Sequence, residues 1–536
     1  KIHTHYLFFV NNILDSKLGS RAAMYASPFF ELGLGQPASE NKGEVLLGTL
    51  GWTGNFSFTF DIDNNGILRI VSGINPFTSD YELKPGEPFV TPEFIFTRSN
   101  EGEGLASRQM HRWALNHQVM DGRGDRMTLL NNWENTYFNF DEPTLANCMK
   151  EGKKLGVDLF LLDDGWFANK YPRNNDRAGL GDWEPNRAKL PNGVPGLVNA
   201  AREAQIKFGI WIEPEMVNPK SELFEKHPDW AMTLPNRKTY YYRNQLVLDL
   251  SNPEVQDYVF SIPDKLLSEN PDIQLFKWDC NSMITNAYSP YLKQKQGNMY
   301  IDHTRGLYNV LKRLNKKYPT THMMLCSGGG GRCDYEALKY FTEFWPSDNT
   351  DPITRLYIQW AFSHCFPSKV LCAHVTNWNS GTSIKFRVDV ASMCKLGFDI
   401  GLKNMSEKNM KYCQTAIANF NRLKPLILDG DLYRLVSPLN NQHMSVMYSN
   451  ENKDHALLFA YNIYPGHTET ISNVVLQGLD PNLTYKIEEI NLPEGEKSHY
   501  SFNGKLFSGH DLMTIGLPIL SRSKLTSNVI EITAKR

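Results

Sequence analysis

Several short apolar runs of this sequence end in acidic side chains. Residues 275–281 read LFKWDCN, in which two apolar residues precede Lys277, Asp279 and Asn281. Alternate side chains of an extended strand point to the same side, so these three polar groups would face one space. A lysine and an aspartate placed together in this way stabilise each other's charged forms. The pair is therefore either a structural ion pair or part of a functional site.

Three more pairs of carboxylates end apolar runs, namely Asp163 and Asp164, Glu213 and Glu215, and Asp348 and Asp351. So many carboxylates in one cleft would repel one another unless hydroxyl groups, cations or shared protons satisfied them. A polyhydroxylated substrate is the partner that this chemistry favours. A divalent metal is the alternative. However, His374 stands alone at the end of its run, and Lys277 would lie beside any cation, so we predict no metal and no other cofactor.

Eight apolar runs would position these side chains. Most of them precede helix-like segments, and strands that alternate with helices predict parallel βαβ units. Eight such units predict a (β/α)8 TIM barrel, whose active site lies at the carboxyl ends of the strands. The runs are MTLLNNWEN, LFLLDDGW, FGIWIEPEM, LFKWDCN, HMMLCSGGG, TEFWPSDNTD, KVLCAHVTNW and FDIGLKNMS.

Strand-like segments flank the predicted barrel on both sides. FSFTFDI and ILRIVSGI enclose the turn signal Asn64-Asn65-Gly66, which predicts an antiparallel hairpin. HMSVMYSN, HALLFAYNI, TYKIEEI and NVIEITAK follow the barrel. We therefore predict a multidomain α/β plus β protein. Its domains would be an N-terminal β-sandwich (1–115), the catalytic barrel (116–428) and a C-terminal antiparallel β domain (429–536).

Composition limits the classes of function. A net charge of -2 without a block of one sign does not suggest nucleic acid or a membrane surface as a partner. The apolar run YLFFV at residues 6–10 is too short to span a membrane. Eight cysteines without a CxxC pair predict free, buried thiols. Because the chain begins with Lys1, we expect the native start, with any secretory signal, to lie upstream; the protein is expected to be soluble and its compartment stays open.

Beyond these patterns, the chain contains in order the motifs LFLLDDGWF, LGDWEPNRAKLPNG, GIWIEPEMVNPKSELFEKHPDW, NQLVLDLSNPEV, FKWDCN, CSGGGGR and WPSDNTD. This ordered set resembles the family-36 glycoside hydrolases, chiefly α-galactosidases. The resemblance runs from GINPF near Gly73 through the barrel and implies a retaining exo-α-galactosidase acting on terminal α-galactosyl residues of oligosaccharides. An α-N-acetylgalactosaminidase, a galactosyl transferase on the same scaffold and a sugar-binding protein without catalysis are the alternatives. Only the latter part of the family's N-terminal sandwich is evident, so this domain is expected to be incomplete.

The resemblance also implies roles for individual residues. Asp279 would be the nucleophile and Asp348 the acid/base, while Asp163 and Asp164 would bind the 4- and 6-hydroxyl groups of galactose. Trp52, in GWTGN, matches a segment that can reach the active-site mouth, often from a neighbouring subunit, so a homo-oligomer is left open; a core aromatic is the alternative. The other residues implied to line the sugar pocket are Trp183, Arg243, Lys277, Asn281, Cys326, Gly328, Gly329 and Trp345.

The implied reaction makes physical demands that the sequence can meet. A retaining glycosidase needs one ionised and one protonated carboxyl. Lys277 lies near Asp279 in sequence and no cation adjoins Asp348, so we expect their pKa values to be driven in opposite directions. The glycines of CSGGGG are expected to let the 2-position of the sugar approach the backbone. Gly331, Cys280 and Pro346 depart from the family's usual residues, which leaves the preferred 2-substituent open.

Overall fold

The computed structural model of the protein describes residues 12–467 and 470–535. The run YLFFV at residues 6–10 and the start of the predicted N-terminal domain lie outside these ranges. Within the described ranges, no helix combines the length and the apolar character needed to cross a membrane.

The N-terminal region contains two three-stranded antiparallel sheets, ordered β1-β4-β5 and β2-β3-β6. Phe30 of one sheet packs its ring against Phe58 and Phe60 of the other, with centroids 5.6 Å and 5.1 Å apart, so the two sheets face each other. The predicted hairpin is confirmed as β4 and β5. The elements are β1 (Asn12–Asp15), β2 (Phe29–Ser39), β3 (Lys42–Gly51), β4 (Phe56–Ile62), β5 (Leu68–Ile74), β6 (Glu93–Ser99) and α1 (Glu103–His117).

The middle of the chain forms the predicted barrel. Eight strands pair side by side in the order β14-β13-β12-β9-β8-β7-β16-β15, and every pair is parallel. A parallel bridge between Phe344 and Leu371 joins the two ends and closes the sheet. The strands of this region are β7 (Leu129–Asn131), β8 (Leu159–Leu162), β9 (Lys207–Ile212), β10 (Met216–Val217), β11 (Leu246–Val247), β12 (Ile273–Trp278), β13 (His322–Leu325), β14 (Glu343–Phe344), β15 (Cys372–Val375) and β16 (Lys395–Phe398).

One predicted strand is shifted. The last barrel strand, β16, ends at Phe398, where the predicted run FDIGLKNMS begins. The buried segment KLGF supplies the strand, because the residues after Phe398 turn into the loop that carries Asp399. β10 and β11 are not barrel strands; they pair with each other as a short antiparallel ribbon.

Helices connect the barrel strands, and several begin at a side chain that accepts a hydrogen bond from the first turn. Asp141, Asn252, Asp351, Ser383 and Ser406 cap α3, α6, α8, α9 and α10 in this way. The helices are α2 (Trp133–Thr136), α3 (Glu142–Leu155), α4 (Gly193–Glu203), α5 (Glu222–Lys226), α6 (Pro253–Glu269), α7 (Met299–Lys317), α8 (Pro352–Phe362), α9 (Ile384–Ala391) and α10 (Glu407–Asp429).

Side chains fill the inside of the barrel. A separate buried cluster consists of Met127, Leu129, Leu159, Leu161, Leu275, Met324, Cys326, Trp345 and Cys372. Phe276 and Trp278 belong instead to the large core between the sheet and its surroundings. Leu275 therefore faces the barrel axis, and alternation places Lys277 on the same side, one layer nearer the carboxyl end of the strand.

The C-terminal region is a six-stranded antiparallel sheet with the order β17-β18-β19-β22-β20-β21. The four strands predicted after the barrel are confirmed as β18, β19, β20 and β22. The eight cysteines are free, as predicted, and all but the half-buried Cys365 are buried. The elements are β17 (Asp431–Val436), β18 (His443–Ser449), β19 (His455–Asn462), β20 (Thr484–Ile490), β21 (Leu506–Ser508), α11 (Gly509–Thr514) and β22 (Thr526–Ala534).

Candidate active site

Asp279 lies immediately after β12, at the carboxyl end of the barrel, and is 6% exposed. Four groups donate hydrogen bonds to its carboxylate. The main-chain N–H groups of Cys280 (2.8 Å) and Gly328 (3.2 Å) bind Oδ1. Asn281 Nδ2 (2.8 Å) and Trp211 Nε1 (3.2 Å) bind Oδ2. Donors on both oxygens stabilise the charged form of the carboxyl and fix its orientation.

These surroundings decide the protonation state of Asp279. Burial disfavours its negative charge, but the positive charge of Lys277 and the hydrogen bond from Asn281 outweigh burial, with further help from Arg243 and Gly328, and its pKa is lowered. Asp279 is thus an anion at neutral pH.

Lys277 forms no hydrogen bond with Asp279, although the two residues are close in sequence. Its Nζ lies 2.7 Å from Asp163 Oδ2, and both side chains are buried. The predicted stabilisation of the Asp279 anion by Lys277 is therefore an effect of its charge, while its hydrogen bond goes to Asp163. The reason is geometric: Lys277 and Asp279 follow each other along one segment, whereas Asp163 comes directly after β8, which lies two strands from β12 in the barrel. The charge of Lys277 still acts on Asp279.

Asp163 and Asp164 end β8 and are both buried. Besides Lys277, Asp163 Oδ2 accepts a hydrogen bond from Asn131 Nδ2 (2.7 Å), and Asp163 Oδ1 accepts from the main-chain N–H of Asp164. Asp164 forms a two-pronged contact with Arg173, whose Nε and Nη2 lie 3.0 Å and 2.8 Å from Oδ1 and Oδ2. Each carboxylate is therefore held by a buried cation.

Asp348 follows β14 by four residues and is exposed at the barrel mouth. Its Oδ1 accepts a hydrogen bond from Trp345 Nε1 at 2.9 Å. Although part of the side chain is exposed, the protein atoms packed around its carboxyl and the negative charge of Asp279 raise its pKa. The predicted opposite pKa directions of Asp279 and Asp348 are thus confirmed.

The backbone that carries Asp348 is fixed more firmly than its side chain. The buried Arg355 donates to Ser347 O (2.7 Å) and Asn349 O (2.8 Å), one residue to each side. The same guanidinium lies over the Trp345 ring, 4.6 Å from its centroid. This arrangement fixes the peptide units around Asp348 and leaves its carboxyl group at the open mouth.

Several of the residues expected to line a sugar pocket surround these carboxyls. Arg243, exposed and with φ +51, donates from Nη1 to Asn281 Oδ1 at 2.6 Å. Cys326 lies in the barrel-interior cluster, and the charges of Asp279 and Asp348 act on it, so that burial and these charges raise its pKa well above the usual range. Trp345 is the hydrogen-bond donor to Asp348 described above.

Trp183 has an unused hydrogen-bond donor. Its ring packs on Phe167 and Trp211, with centroids 4.4 Å and 6.3 Å apart, and Trp211 itself donates to Asp279. Within the described chain, the buried Nε1 of Trp183 has no hydrogen-bond partner. A buried donor without a partner is costly, so this N–H is suited to a ligand hydroxyl.

The glycine loop differs from the expectation that it opens space for a sugar. A Cβ on Gly328 would lie 2.3 Å from Arg21 Nη2, and a Cβ on Gly329 would lie 2.9 Å from Ser347 Cα. Both positions therefore point at protein atoms. Their φ angles of +53° and +85° also favour glycine. The two glycines allow protein segments to pack closely. They therefore do not indicate how much space a substituent at the sugar's 2-position would have.

Trp52 does not belong to this group in the described chain. It is 6% exposed, donates from Nε1 to Asn55 O (3.1 Å) and packs edge to face on Tyr308 of α7. Within the described chain its ring packs between the N-terminal sheets and α7, as the alternative of a core aromatic predicted, so Trp52 does not line the mouth of its own barrel. A role at the mouth of a neighbouring subunit stays a prediction.

The remaining carboxylates of the mouth have structural partners. Glu215 forms a buried ion pair with Arg332 (2.9 Å), and Asp351 caps α8. Glu213 accepts from the main-chain N–H of Asn281 at 2.5 Å; burial and the charge of Asp279 raise its pKa to about 8. Protein groups thus provide many of the partners that these carboxylates had been expected to find in a substrate.

The sequence interpretation missed several residues that act on the site, namely Asn131, Arg173, Trp211 and Arg355. Trp211 lies two residues before Glu213 at the end of β9, so the alternation of side chains in that strand contained a signal for it. Arg173 lies in the loop after β8, where no periodicity indicates its direction.

His374 of β15 is buried and adjoins Trp345, the hydrogen-bond donor to Asp348. The two rings pack at a tilt, with centroids 4.3 Å apart, and burial lowers the pKa of His374 well below the usual range. In the described ranges, one group of three side chains has ligand atoms within 4.8 Å of one another, Glu31, Glu103 and His364. None of its members contacts the carboxyls described above.

Models of known protein families match three regions of the chain. Residues 88–430 match the family model described as melibiase. Residues 4–84 and 443–532 match the N-terminal and C-terminal domains of glycosyl hydrolase family 36. Among curated proteins, the chain is 36% identical over 484 residues to alpha-galactosidase AgaA of Geobacillus stearothermophilus, covering 89% of this chain and 66% of that protein. Alpha-galactosidase C of Emericella nidulans is 35% identical over 519 residues, covering 94% and 66%.

Solved structures give the same result. The crystal structure of AgaA in complex with stachyose superposes with a TM-score of 0.92 at 33% identity, covering 99% of this chain and 72% of that one. The alpha-galactosidase from Lactobacillus brevis gives 0.92 at 30% identity, covering 99% and 71%. The chain thus spans about two thirds of the length of the curated relatives it matches, 66% for both named above. With matches to all three of its regions, the chain belongs to glycosyl hydrolase family 36.

Proposed function

We propose that this chain is the catalytic part of an exo-α-galactosidase that releases terminal, non-reducing α-galactosyl residues by a retaining double displacement. One observation carries the proposal: the barrel mouth holds one carboxyl whose surroundings lower its pKa and another whose surroundings raise it. A retaining glycosidase requires such a pair, an anion that attacks and an acid that protonates the leaving group.

Asp279 is the nucleophile in this mechanism. Its oxygen attacks the anomeric carbon and forms a glycosyl ester, while the bond to the glycosidic oxygen breaks. The four hydrogen bonds to its carboxylate keep it oriented before attack. Proximity and orientation of this kind contribute much of the rate of an intramolecular displacement.

Asp348 is the acid/base. Its raised pKa keeps the proton available, and Asp348 transfers it to the departing oxygen. In the second half of the reaction the same carboxylate removes a proton from water, and the hydroxide displaces Asp279 from the anomeric carbon. Its exposed position at the mouth suits both partners, the leaving group and water.

Asp163 and Asp164 are the groups that select the sugar. Lys277 and Arg173 hold them in fixed orientations, so their remaining lone pairs can accept hydrogen bonds from the axial 4-hydroxyl and the 6-hydroxyl of galactose. Trp183, with its unused indole N–H, supplies a donor for another hydroxyl of the same sugar. The raffinose and stachyose complexes of the Geobacillus relative make these two oligosaccharides the first substrates to test.

The decisive experiment replaces the nucleophile. Asp279→Ala should reduce turnover of a nitrophenyl α-galactoside by several orders of magnitude while leaving the folded structure intact. Added azide should then restore activity by entering the vacated space and yield the β-galactosyl azide. Formation of the α-azide would mean that another group is the nucleophile.

The choice between close substrates needs a second measurement. The glycine loop does not decide whether an N-acetyl group fits at the 2-position, because protein atoms occupy the space beside both glycines. We expect a higher kcat/KM for the nitrophenyl α-galactoside than for the α-N-acetylgalactosaminide. The reverse order would identify an α-N-acetylgalactosaminidase.

A further inference from the structure

A turn of the N-terminal domain reaches the loops that surround Asp279. This turn, Gly19–Arg21, follows β1 in the chain. Ser20 Oγ donates to Ser282 O (2.6 Å), and Ala23 N just beyond the turn donates to Gly331 O (2.9 Å). The turn is therefore attached to the loop after β12 and to the loop after β13.

Arg21 is the charged residue of this turn and is 2% exposed. Its guanidinium binds main-chain oxygens: Nε and Nη2 donate to Ser327 O (3.1 Å and 2.8 Å), and Nη1 donates to Asn281 O (3.2 Å). Nη2 also lies 3.4 Å from Gly328 O and 3.1 Å from Met24 Sδ. The planar fork of donors lets one side chain hold two loops at once.

Both segments that Arg21 holds donate hydrogen bonds to Asp279. The peptide unit between Ser327 and Gly328 presents its oxygen to Arg21 and its N–H to Asp279 Oδ1. Because a peptide unit is planar, fixing the direction of its C=O also fixes the direction of its N–H. A cation on the oxygen polarises the unit and strengthens the N–H as a donor. Asn281 likewise binds Arg21 through its main-chain oxygen and Asp279 through its side-chain amide.

Gly328 shows how closely the arginine fits. A Cβ at this position would lie 2.3 Å from Arg21 Nη2 and 3.1 Å from Asn281 Oδ1. A side chain there would displace either the guanidinium or the amide that binds Asp279. The missing side chain of Gly328 thus leaves the space that the Arg21 guanidinium, which comes from the N-terminal domain, occupies.

We propose that Arg21 is a positioning residue for the attack of Asp279: it holds the Gly328 N–H and the Asn281 amide against the carboxylate, and so makes the N-terminal domain part of the catalytic apparatus. The inference rests on the proposed role of Asp279 as the nucleophile. Misplacement of a reacting group by about 1 Å costs up to about 100-fold in rate. Loss of Arg21 should therefore slow the attack by about 10- to 100-fold.

The test measures the attack directly. A galactose-configured cyclophellitol epoxide reacts when the nucleophile bonds to its anomeric-like carbon, that carbon–oxygen bond breaks, and the acid/base protonates the released oxygen. In the wild-type protein, peptide mass analysis should find the label on Asp279. In Arg21→Met the label should remain on Asp279, with kinact lowered by about 10- to 100-fold and KI changed by less than about 3-fold.

A pH profile separates positioning from general stability. Weaker donors would leave the charged form of Asp279 less stabilised, so the acid limb of kinact/KI for Arg21→Met should move to higher pH. Ser20→Ala is the matched control, because it removes a hydrogen bond from the same turn to Ser282 O and leaves both donors to Asp279 in place. This control should keep the wild-type kinact and acid limb even if its Tm falls.

The outcomes distinguish this inference from the proposed function. Absence of label on Asp279 in the wild type would contradict the proposed function itself. Label on Asp279 in both proteins, with equal kinact and an unmoved acid limb, would overturn the role of Arg21 alone. If Arg21→Met does not fold, Arg21→Lys, which keeps the charge but not the fork, should give an intermediate kinact, and a wild-type value would overturn the proposal. Failure of both variants to fold would also overturn it, by assigning Arg21 to the domain junction only.

Discussion

The two proposed catalytic carboxyls stand at the same end of one barrel, in opposite kinds of surroundings. Asp279 is 6% exposed and accepts hydrogen bonds on both oxygens from four groups. Asp348 is exposed at the mouth and accepts one from Trp345, while Arg355 holds the main chain on either side of it. Hydrogen bonds to the carboxylate fix the proposed nucleophile, whereas hydrogen bonds to the backbone fix the proposed acid/base.

This difference follows from what each group would have to do. A nucleophile must stay charged and aimed at one carbon, so donors on both oxygens help it. An acid/base must carry a proton, meet a leaving group and later meet water, so a carboxyl with few fixed partners serves better. The two carboxyls thus differ in the number of their donors as well as in the direction of their pKa shifts, as the two proposed roles would require.

The largest effect is expected from removing the charge of the tightly held carboxyl. Asp279→Asn should lower kcat/KM by about 10⁴-fold or more, because no ester can form without the carboxylate. The loss should be similar for a nitrophenyl α-galactoside and for raffinose, since both need the same attack. Steady-state kinetics on the two substrates, with Tm as the folding control, make the comparison. Retention of activity on either substrate would remove Asp279 from the role of nucleophile.

The exposed carboxyl should behave differently. Asp348→Ala should lower kcat/KM for raffinose by about 10²- to 10⁴-fold, because its leaving group needs a proton. An activated nitrophenyl α-galactoside leaves as a stable anion and should lose far less in the same step. Equal losses on the two substrates would show that Asp348 does not act as the acid.

Substrate choice should depend on neither catalytic carboxyl. An α-glucoside has an equatorial 4-hydroxyl and would leave one carboxylate of the Asp163–Asp164 pair without its sugar partner. Such a loss in a closed pocket costs on the order of 2 to 4 kcal/mol, so we expect α-galactosides to be preferred by roughly 30- to 1,000-fold in kcat/KM. Asp348→Ala should keep this ratio on nitrophenyl substrates. Comparable values for the two sugars would contradict the assignment of the pair.

The sequence predicts the elements of this fold well, because the signals are local. Apolar runs that end in polar residues give the barrel strands, and Asn64-Asn65-Gly66 gives the hairpin between β4 and β5. The predicted last barrel strand was displaced because KLGF and FDIG overlap at Phe398 and each contains two large apolar side chains. Periodicity cannot decide between two adjacent apolar segments of this length.

The site was predictable in its residues and less so in its contacts. Alternation along β12 placed Lys277 and Asp279 at the mouth correctly, but the partner of the lysine, Asp163, lies 114 positions away in the chain. Arg21 contacts Ser327 across a separation of 306 positions. Contacts at such distances depend on how the barrel closes and how the flanking domain docks, and no local pattern encodes them.

The smallest effects are expected from removing one hydrogen-bond donor from each of the two carboxyls. Trp345 Nε1 binds Asp348 and Trp211 Nε1 binds Asp279, at 2.9 Å and 3.2 Å. Each donor stabilises a charged carboxylate, so its removal should raise the pKa of the carboxyl that it binds. Trp345→Phe should therefore move the basic limb of kcat/KM to higher pH and leave the acid limb in place, whereas Trp211→Phe should move the acid limb to higher pH and leave the basic limb. Each displacement should be below about one pH unit, because a hydrogen bond contributes about 0.5–1.5 kcal/mol.

Phenylalanine keeps a ring at both positions, so each variant is the control for the other. Movement of the same limb in both variants would show that the two carboxyls titrate as one coupled pair rather than as a separate nucleophile and acid.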